Sequence, residues 1–427
     1  MKPAPLPGIR RLTDRAETAR RRVMRHTRRI AALGLGAVLV AGLAPAADAA
    51  TPRLDRRELQ RTLDEISAGG IVGAYSAVAD GRQRWRGATG LADLERKRRT
   101  RPDMYHRIGS ITKTFVAVAV LQQVDQGRIR LDDPVETYLP GLLPDRRITV
   151  RMLLNHTSHL GDYDEALITG PDSLEELRTR RFTDHELVRI GLETGPTGEP
   201  GATPGSYSNT NYIVLGLLLD KVTRMPAEQY ITQHVIRRAG LTHTFFPRTA
   251  ELPQPHSKAY TSAFGSFPLR DFSTFDMSWA GTAGALVSTM DDLNRFFAAL
   301  FDGRLISRAR LDEMRTTVPI VAGRGLTDAF PYGLGLRAYE SPCGTLWGHD
   351  GGVIGMATLS VAPPDLSRHA SSGVNTTWHP EAAAGELAWI LHTFGAACGT
   401  PVSAEENRTA KSAASPIRLV DAAPWQR

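Results

Sequence analysis

The sequence predicts an α/β (α+β) fold, in which an antiparallel sheet flanked by helices is interrupted by a mostly helical inserted subdomain. Three observations predict it. Short alternating or apolar runs suited to strands lie near both ends of the chain, at 71–79, 83–89, 332–338, 344–347 and 356–361. Between them, over about 128–270, the pattern is mostly helical with Pro/Gly-rich connections, notably 195–205. Asp80-Gly81 separates the first two runs as a hairpin signal, so the sheet begins antiparallel.

The helices rest on periodicity and punctuation. Leu54 to Ser67 is periodic and ends before Gly69-Gly70. Ser110 to Gln126 is rich in Ala, Val and Leu, which reads as a buried helix, and Gly127 stops it. Tyr212 to Lys221 and Leu293 to Leu300 are two more helical runs. Beyond Pro401 the chain is polar and rich in Ser, Ala and Pro, which predicts a disordered tail over 402–427. The catalytic-domain candidate is therefore 50–401.

With 427 residues, 41% hydrophobic and 23% charged, the chain has the composition of an ordinary globular protein with a large core. A net charge of +7 would suit a nucleic-acid binder if it were spread over the domain. It is not. Residues 1–50 hold ten Lys/Arg and three Asp/Glu, so the remainder is neutral and no nucleic-acid partner is expected.

Residues 1–49 read instead as an export signal. A basic stretch through Arg28 and Arg29 precedes an apolar run from Ile30 to Leu43 and the small-residue site Ala47-Asp48-Ala49, with cleavage after Ala49. The apolar run is shorter than the roughly 20 residues of a bilayer span. An uncleaved anchor is the alternative, and would be the only membrane contact. Thr27-Arg28-Arg29 leaves a twin-arginine route open, as it does a translation start at Met24. Cys343 and Cys398 are the only cysteines, and an even count in an exported chain favours a disulfide; two unpaired buried thiols are the alternative.

Chemistry is concentrated in three short motifs. Only six of 52 basic residues are lysine. With 22 serines, chance supplies about 0.3 Ser-x-x-Lys patterns, and one exists: Ser110-Ile111-Thr112-Lys113, opening the buried helix after Gly109. A spacing of three puts both side chains on one helical face. Only an amine can be desolvated into a proton acceptor near neutral pH, so arginine could not replace this lysine. A serine at a helix N-terminus also gains from the local positive potential, which favours an oxyanion beside its N–H. The structural alternative is an N-cap serine beside a surface lysine.

Tyr207-Ser208-Asn209 presents a phenol and a carboxamide where the Pro/Gly-rich loop meets the apolar helix. The phenol can shuttle the serine proton, and the amide can hold a substrate amide by donor and acceptor together. His349-Asp350-Gly351-Gly352 lies between strand-like runs, where glycine permits close backbone approach to a ligand. No His-Glu-x-x-His or Gly-x-Ser-x-Gly pattern occurs, and His156 and His159 lack a third ligand, so no metal or other cofactor is expected.

In this order and spacing the three motifs resemble those of the serine β-lactamases of class C and the related DD-carboxypeptidases and esterases. The resemblance covers about residues 54–400. It includes Tyr105-His106-Arg107-Ile108-Gly109-Ser110, Leu153-Leu154-Asn155-His156-Thr157-Ser158, Tyr207 to Leu218, Ser278-Trp279-Ala280 and Tyr332-Gly333-Leu334-Gly335-Leu336-Arg337. It is strongest to the secreted D-alanyl-D-alanine carboxypeptidases of actinomycete type, in which cysteines placed like Cys343 and Cys398 are disulfide-bonded.

The resemblance implies that Ser110 is acylated, that Lys113 and Tyr207 manage its proton, and that Asn209 orients the substrate. His349 occupies the third-motif position, and the backbone N–H groups of Ser110 and Gly352 form the oxyanion hole. Trp279, Arg337, Asp350, Gly351 and Gly352 complete the expected substrate-binding set. The implied substrate is a peptidoglycan-type D-peptide or another small amide or ester, with a β-lactamase, an esterase or a non-catalytic wall-binding module as rivals. Two departures stand out. The carboxypeptidases carry threonine at the positions of Asp350 and Gly352, which with an arginine matching Arg337 hold the substrate's terminal carboxylate. His159 stands where a glycine is usual.

Overall fold

Strands from early and late in the described chain meet in one sheet. The computed structural model describes residues 54–363 and 367–400, so the expected signal and tail lie outside the described residues. Helix α1 (Arg56–Ala68) leads into β1 (Gly73–Asp80), β2 (Gln83–Asp93) and β3 (Arg98–Arg99). The remaining strands of this sheet are β4 (Gly205–Ser206), β5 (Val318–Val321), β6 (Ala329–Tyr332), β7 (Arg337–Ser341), β8 (Gly344–Val353), β9 (Met356–Ala362) and β10 (Arg368–Val374). The ten lie in the order β3-β2-β1-β10-β9-β8-β7-β6-β5-β4. Every pairing is antiparallel except β4 with β5. The seam between the chain's two halves runs from Ala74 opposite Val374 to Asp80 opposite Arg368, where Arg368 Nε donates to Asp80 Oδ2 at 3.1 Å.

The central strands are covered on both faces, so they lose the alternation of a half-buried strand. All eight residues of β1 and all seven of β9 are buried. On one side Val78, Leu359 and Val361 pack with α1 and the last helix, α5 (Ala383–Cys398), through Leu63, Ile66 and Trp389. On the other side lies the larger core, which includes Phe296 and Phe297 of α4 (Met290–Phe301) and the helical region. Polar groups of the strands fasten both layers. Trp389 Nε1 donates to Ser372 Oγ at 2.6 Å, and Asn294 Nδ2 donates to the Ala77 carbonyl at 2.9 Å. Burying these groups with partners avoids the cost of an unmet hydrogen bond.

Helix α2 (Ile111–Asp125) is buried continuously from Ile111 to Gln123, as its Ala/Val/Leu composition predicts, and α3 (Thr210–Thr223) is buried from Thr210 to Leu219. The expected helix over Leu293–Leu300 is α4, longer at both ends. None of the described helices is long and apolar enough to cross a membrane.

Two strand expectations change. The run 332–338 is not one strand: Tyr332 ends β6, Arg337 begins β7, and the chain reverses between them, with Gly333 N donating to the Leu336 carbonyl at 2.7 Å. Gly335 sits at φ +71° there, and a Cβ on it would lie 2.4 Å from the Ala117 Cβ of α2. The turn exists because the hairpin must press against the buried helix. Strand β8 extends to Val353, past the glycines, because its partner β9 pairs with it through Val353 opposite Met356. Strand β10 and helix α5 had no reading from the sequence; β10 is rich in Ser, Ala and Gly and is recognisable as a strand only once β1 and β9 flank it. The two cysteines form a disulfide that ties the β7–β8 turn to the end of α5, with Cα atoms 5.6 Å apart.

Candidate active site

Ser110 is the residue immediately before α2, and Lys113 lies one turn on, fully buried. Lys113 Nζ lies 2.9 Å from Ser110 Oγ, 2.6 Å from Asn209 Oδ1 and 2.9 Å from the carbonyl of Ala283. A neutral amine has two N–H donors and one lone pair. Asn209 Oδ1 and the Ala283 carbonyl can only accept, so they take the two donors and leave the lone pair facing the Ser110 hydroxyl. Burial pushes Lys113 down to about 7, against the pull of Asp162, Asp164 and Asp350, which favour the charged form. The group that faces the serine therefore exchanges its proton near neutrality.

Tyr207 is delivered by backbone pairing. Strand β4 runs beside β5, Tyr207 N donates to the Val321 carbonyl at 2.9 Å, and Ser208 N donates to His156 Nδ1 at 3.2 Å. Burial pushes the phenol well above its usual 10, only partly offset by a hydrogen bond with Ser110. Tyr207 thus stays protonated while Lys113 is poised. The lysine suits the base, and the phenol suits a relay beside it. The Lys113 ammonium position lies 4.9 Å from the Tyr207 ring centroid and 5.6 Å from that of Tyr212.

His156 supports the phenol from below. Its ring stacks on Tyr207 at 4.1 Å, and burial, with Lys113 and His349 nearby, holds it neutral. His156 and His159 both have positive φ, +61° and +56°. His159 bonds Thr197 Oγ1 and the Ala202 carbonyl, each at 3.0 Å, and so pins the loop that leads to Tyr207. Both histidines are structural, and no cluster of metal-ligating side chains occurs among the described residues.

The opposite wall is β8, the edge of the cleft formed where 108–110 meets 351–352. A Cβ on Gly109 would come within 2.6 Å of Gly352 N, and one on Gly351 within 2.0 Å of the Ile108 carbonyl and 2.8 Å of Ser110 N. Both positions require glycine for this approach. Gly352 differs, with open space where its Cβ would be. The N–H groups of Ser110 and Gly352 thereby come from two abutting segments, the arrangement an oxyanion hole needs.

Several expected substrate contacts are turned inward. His349 Nε2 bonds the Tyr332 hydroxyl at 2.8 Å and its Nδ1 faces the Asp350 carbonyl, so both nitrogens are engaged. Burial lowers His349 to about 4. Arg337 Nη1 donates to Asp350 Oδ1 at 3.0 Å, and Tyr339 donates to the same oxygen at 2.6 Å. Burial would raise the Asp350 carboxyl, but Arg337 first, then His349 and Tyr339, hold it below its usual range. Trp279 does not join the cluster: it is a core residue packed against Phe275 at 5.9 Å. Its turn leads into the short helix Gly281–Gly284, whose Ala283 carbonyl accepts from Lys113, and that is its contribution to the site.

Two site residues escaped the sequence reading. Asn209 Nδ2 donates to Asp162 Oδ2 at 3.0 Å and to Asp164 Oδ2 at 2.9 Å. With Oδ1 on Lys113, the whole carboxamide expected to orient substrate is occupied by the protein. The available signal was Gly161-Asp162-Tyr163-Asp164, two carboxylates directly after the Leu-Asn-His-Thr-Ser stretch.

The Beta-lactamase family model matches residues 59–374. The chain belongs to this family. Among solved structures of like fold, a D-stereospecific amidohydrolase from Streptomyces sp. is 36% identical, with a TM-score of 0.70 over 78% of this chain and 98% of that one. The D-amino acid amidase of Ochrobactrum anthropi SV3, in complex with L-phenylalanine amide, is 26% identical, with a TM-score of 0.70 over 83% and 99% of the two chains. The putative penicillin-binding protein PbpX of Bacillus subtilis is 29% identical over 62% of this chain and 63% of its own. Against PbpX and penicillin-binding protein 4* of the same organism, this member of the Beta-lactamase family spans about three-fifths of the relative's length. The family is one of serine hydrolases and penicillin-binding proteins, which accords with the cluster at Ser110.

Proposed function

We propose that this protein is an exported serine amidohydrolase that cleaves amides or esters of D-amino acids or short D-peptides through an acyl-enzyme. The observation that carries the reading is the set of three contacts of Lys113, which in the neutral amine leaves the lone pair for Ser110. Lys113 takes the hydroxyl proton as Ser110 Oγ adds to the substrate carbonyl carbon, and the N–H groups of Ser110 and Gly352 receive the oxyanion. The C–N bond breaks as Tyr207 passes a proton to the leaving amine and is recharged from Lys113. Water then adds to the ester under the same base and releases the acid. Similarity to the amidohydrolase and the amidase supports the amide substrate and the D configuration.

The Arg337–Asp350 pair argues on leaving-group specificity. A carboxypeptidase needs a cation for the substrate's terminal carboxylate, and Arg337, the residue the resemblance supplies, faces an ionised Asp350. We therefore favour amidated, esterified or amine-bearing substrates over D-alanyl-D-alanine with a free terminus. Export rests on the apolar run and small-residue site of 1–49 and accords with the Cys343–Cys398 disulfide.

The test is hydrolysis of D- and L-phenylalanine amide by wild type and Ser110→Ala, with intact-protein mass after exposure to penicillin as a second readout. Turnover of the D-amide and a penicilloyl mass, both lost in Ser110→Ala, are expected. Equal turnover by the two proteins would remove Ser110 from the reaction.

A further inference from the structure

We propose that Asp162 and Asp164 are positioning residues, which orient the Asn209 carboxamide and through it aim the Lys113 amine at Ser110. The proposal rests on the catalytic reading above and concerns how its base is set. An asparagine amide can face either way, and the two faces have opposite consequences here. With Nδ2 toward Lys113, donor would meet donor, and the amine would turn its lone pair to Asn209 and a hydrogen to the serine. With Oδ1 toward Lys113, the lone pair is left for Ser110.

Two carboxylate oxygens on the far side of Asn209 decide the choice, since both can only accept and both lie within 3.0 Å of Nδ2. They come from one segment. Asp162 caps the short helix Tyr163–Leu167, its side chain accepting from Asp164 N at 3.2 Å, and this holds the two carboxylates side by side. The segment is anchored in turn from α3 and its cap: Ser208 Oγ and Thr210 Oγ1 donate to the Gly161 carbonyl at 3.1 and 2.7 Å. The pair, Asn209 and Lys113 therefore form one continuous chain of contacts that ends at the nucleophile.

The charged and titratable groups facing Lys113 are Asp162 and Asp164 on this side, Asp350 and His349 from β8, His156, and the phenols Tyr207 and Tyr212. The two carboxylates favour the lysine's charged form, so replacing them with neutral groups makes Lys113 lose its proton at lower pH. This sign separates a positioning pair from a merely structural one.

Asparagine at both positions keeps an acceptor for Asn209 Nδ2 and removes the charge; alanine removes both. The experiment is the pH dependence of kcat/KM on D-phenylalanine amide for wild type, Asp162→Asn/Asp164→Asn and Asp162→Ala/Asp164→Ala. The double asparagine variant is expected to show its acid limb about half to one pH unit lower. The double alanine variant is expected to lose at least tenfold in kcat with KM within threefold. An unmoved acid limb in the folded asparagine variant overturns the proposal, as does wild-type kcat in the alanine variant. Should either double variant not fold, Asp164→Asn is read by the same limb. Failure of the catalytic reading looks different: wild type and Ser110→Ala would then be alike, whereas failure of this inference leaves Ser110 essential and the aspartate variants unchanged.

Discussion

Asp350 and Arg337 form a partly buried ion pair across adjacent strands, Nη1 to Oδ1 at 3.0 Å, at the mouth of the cleft that holds Ser110. Position 350 thus carries an anion beside the one cation that the family resemblance would offer to a substrate carboxylate. Like charges a few ångströms apart in a partly desolvated cleft cost on the order of 1 to 4 kcal/mol. Asp350→Thr is therefore expected to raise kcat/KM on a D-Ala-D-Ala peptide with a free terminus, relative to its amidated form, by about tenfold to several hundredfold. An unchanged ratio would show that Arg337 is not a carboxylate site in this protein.

The acid limb of kcat/KM should lie near pH 7. Lys113 must be neutral to take the serine proton, and burial brings it to about 7. Below that value the active fraction falls about tenfold per pH unit. Lys113→Arg should fold and lose acylation, because guanidinium does not give up its proton. Acylation of Lys113→Arg at the wild-type rate, read by protein mass, would remove the lysine from the mechanism.

Adjacent glycines should respond in opposite ways. Gly351→Ala places a methyl within 2.0 Å of the Ile108 carbonyl, and shifting that backbone displaces Ser110, so a loss of about 1–3 kcal/mol in stability and at least a hundredfold in kcat/KM is expected. Gly352→Ala enters open space and should melt with the wild type. Thermal unfolding and kinetics of the two proteins check the contrast.

Acid should weaken the fold through buried histidines. Burial lowers His106 and His392 to about 3 and His349 and His369 to about 4, and it also holds His156 well below its usual value. The unfolded chain binds these protons below about 6.5 and the folded chain does not, so stability is full above that pH and lost as pH falls toward 4. By pH 5 each of the first four contributes a loss of about 2 kcal/mol. Asp162, raised to about 6 chiefly by burial, works in the opposite direction, as do Asp184, Asp220, Glu228 and Glu386, which burial also raises. A flat unfolding temperature between pH 7 and 5 would contradict the histidine account.

Removing the disulfide should cost stability without touching the site. Cys343 and Cys398 are 55 residues apart, and the chain-entropy model gives about 4 kcal/mol for closing such a loop. Cys343→Ser/Cys398→Ser should unfold at lower denaturant while keeping kcat within about twofold at 25 °C.

Local chemistry was enough to place the proposed serine nucleophile and its lysine within reach of one another. A Ser-x-x-Lys pattern opening an apolar helix specifies both side chains within one turn, and Asp80-Gly81 between strand-like runs specifies a hairpin, because each rests on geometry confined to a few residues. His159, which stands where a glycine is usual, takes a positive φ of +56°. What lay beyond the sequence were relationships between distant segments. Whether Arg337 could meet a carboxylate depended on the pairing of β7 with β8, which sets it beside Asp350. Whether Asn209 could bind substrate depended on two aspartates about 45 residues upstream. Trp279 and the 332–338 run were misread for the same reason: an indole and an apolar stretch each fit a site or a core, and only packing decides which. Covalent spacing determined that Ser110 and Lys113 share one helical turn, and long-range hydrogen bonding determined which side chains surround that lysine.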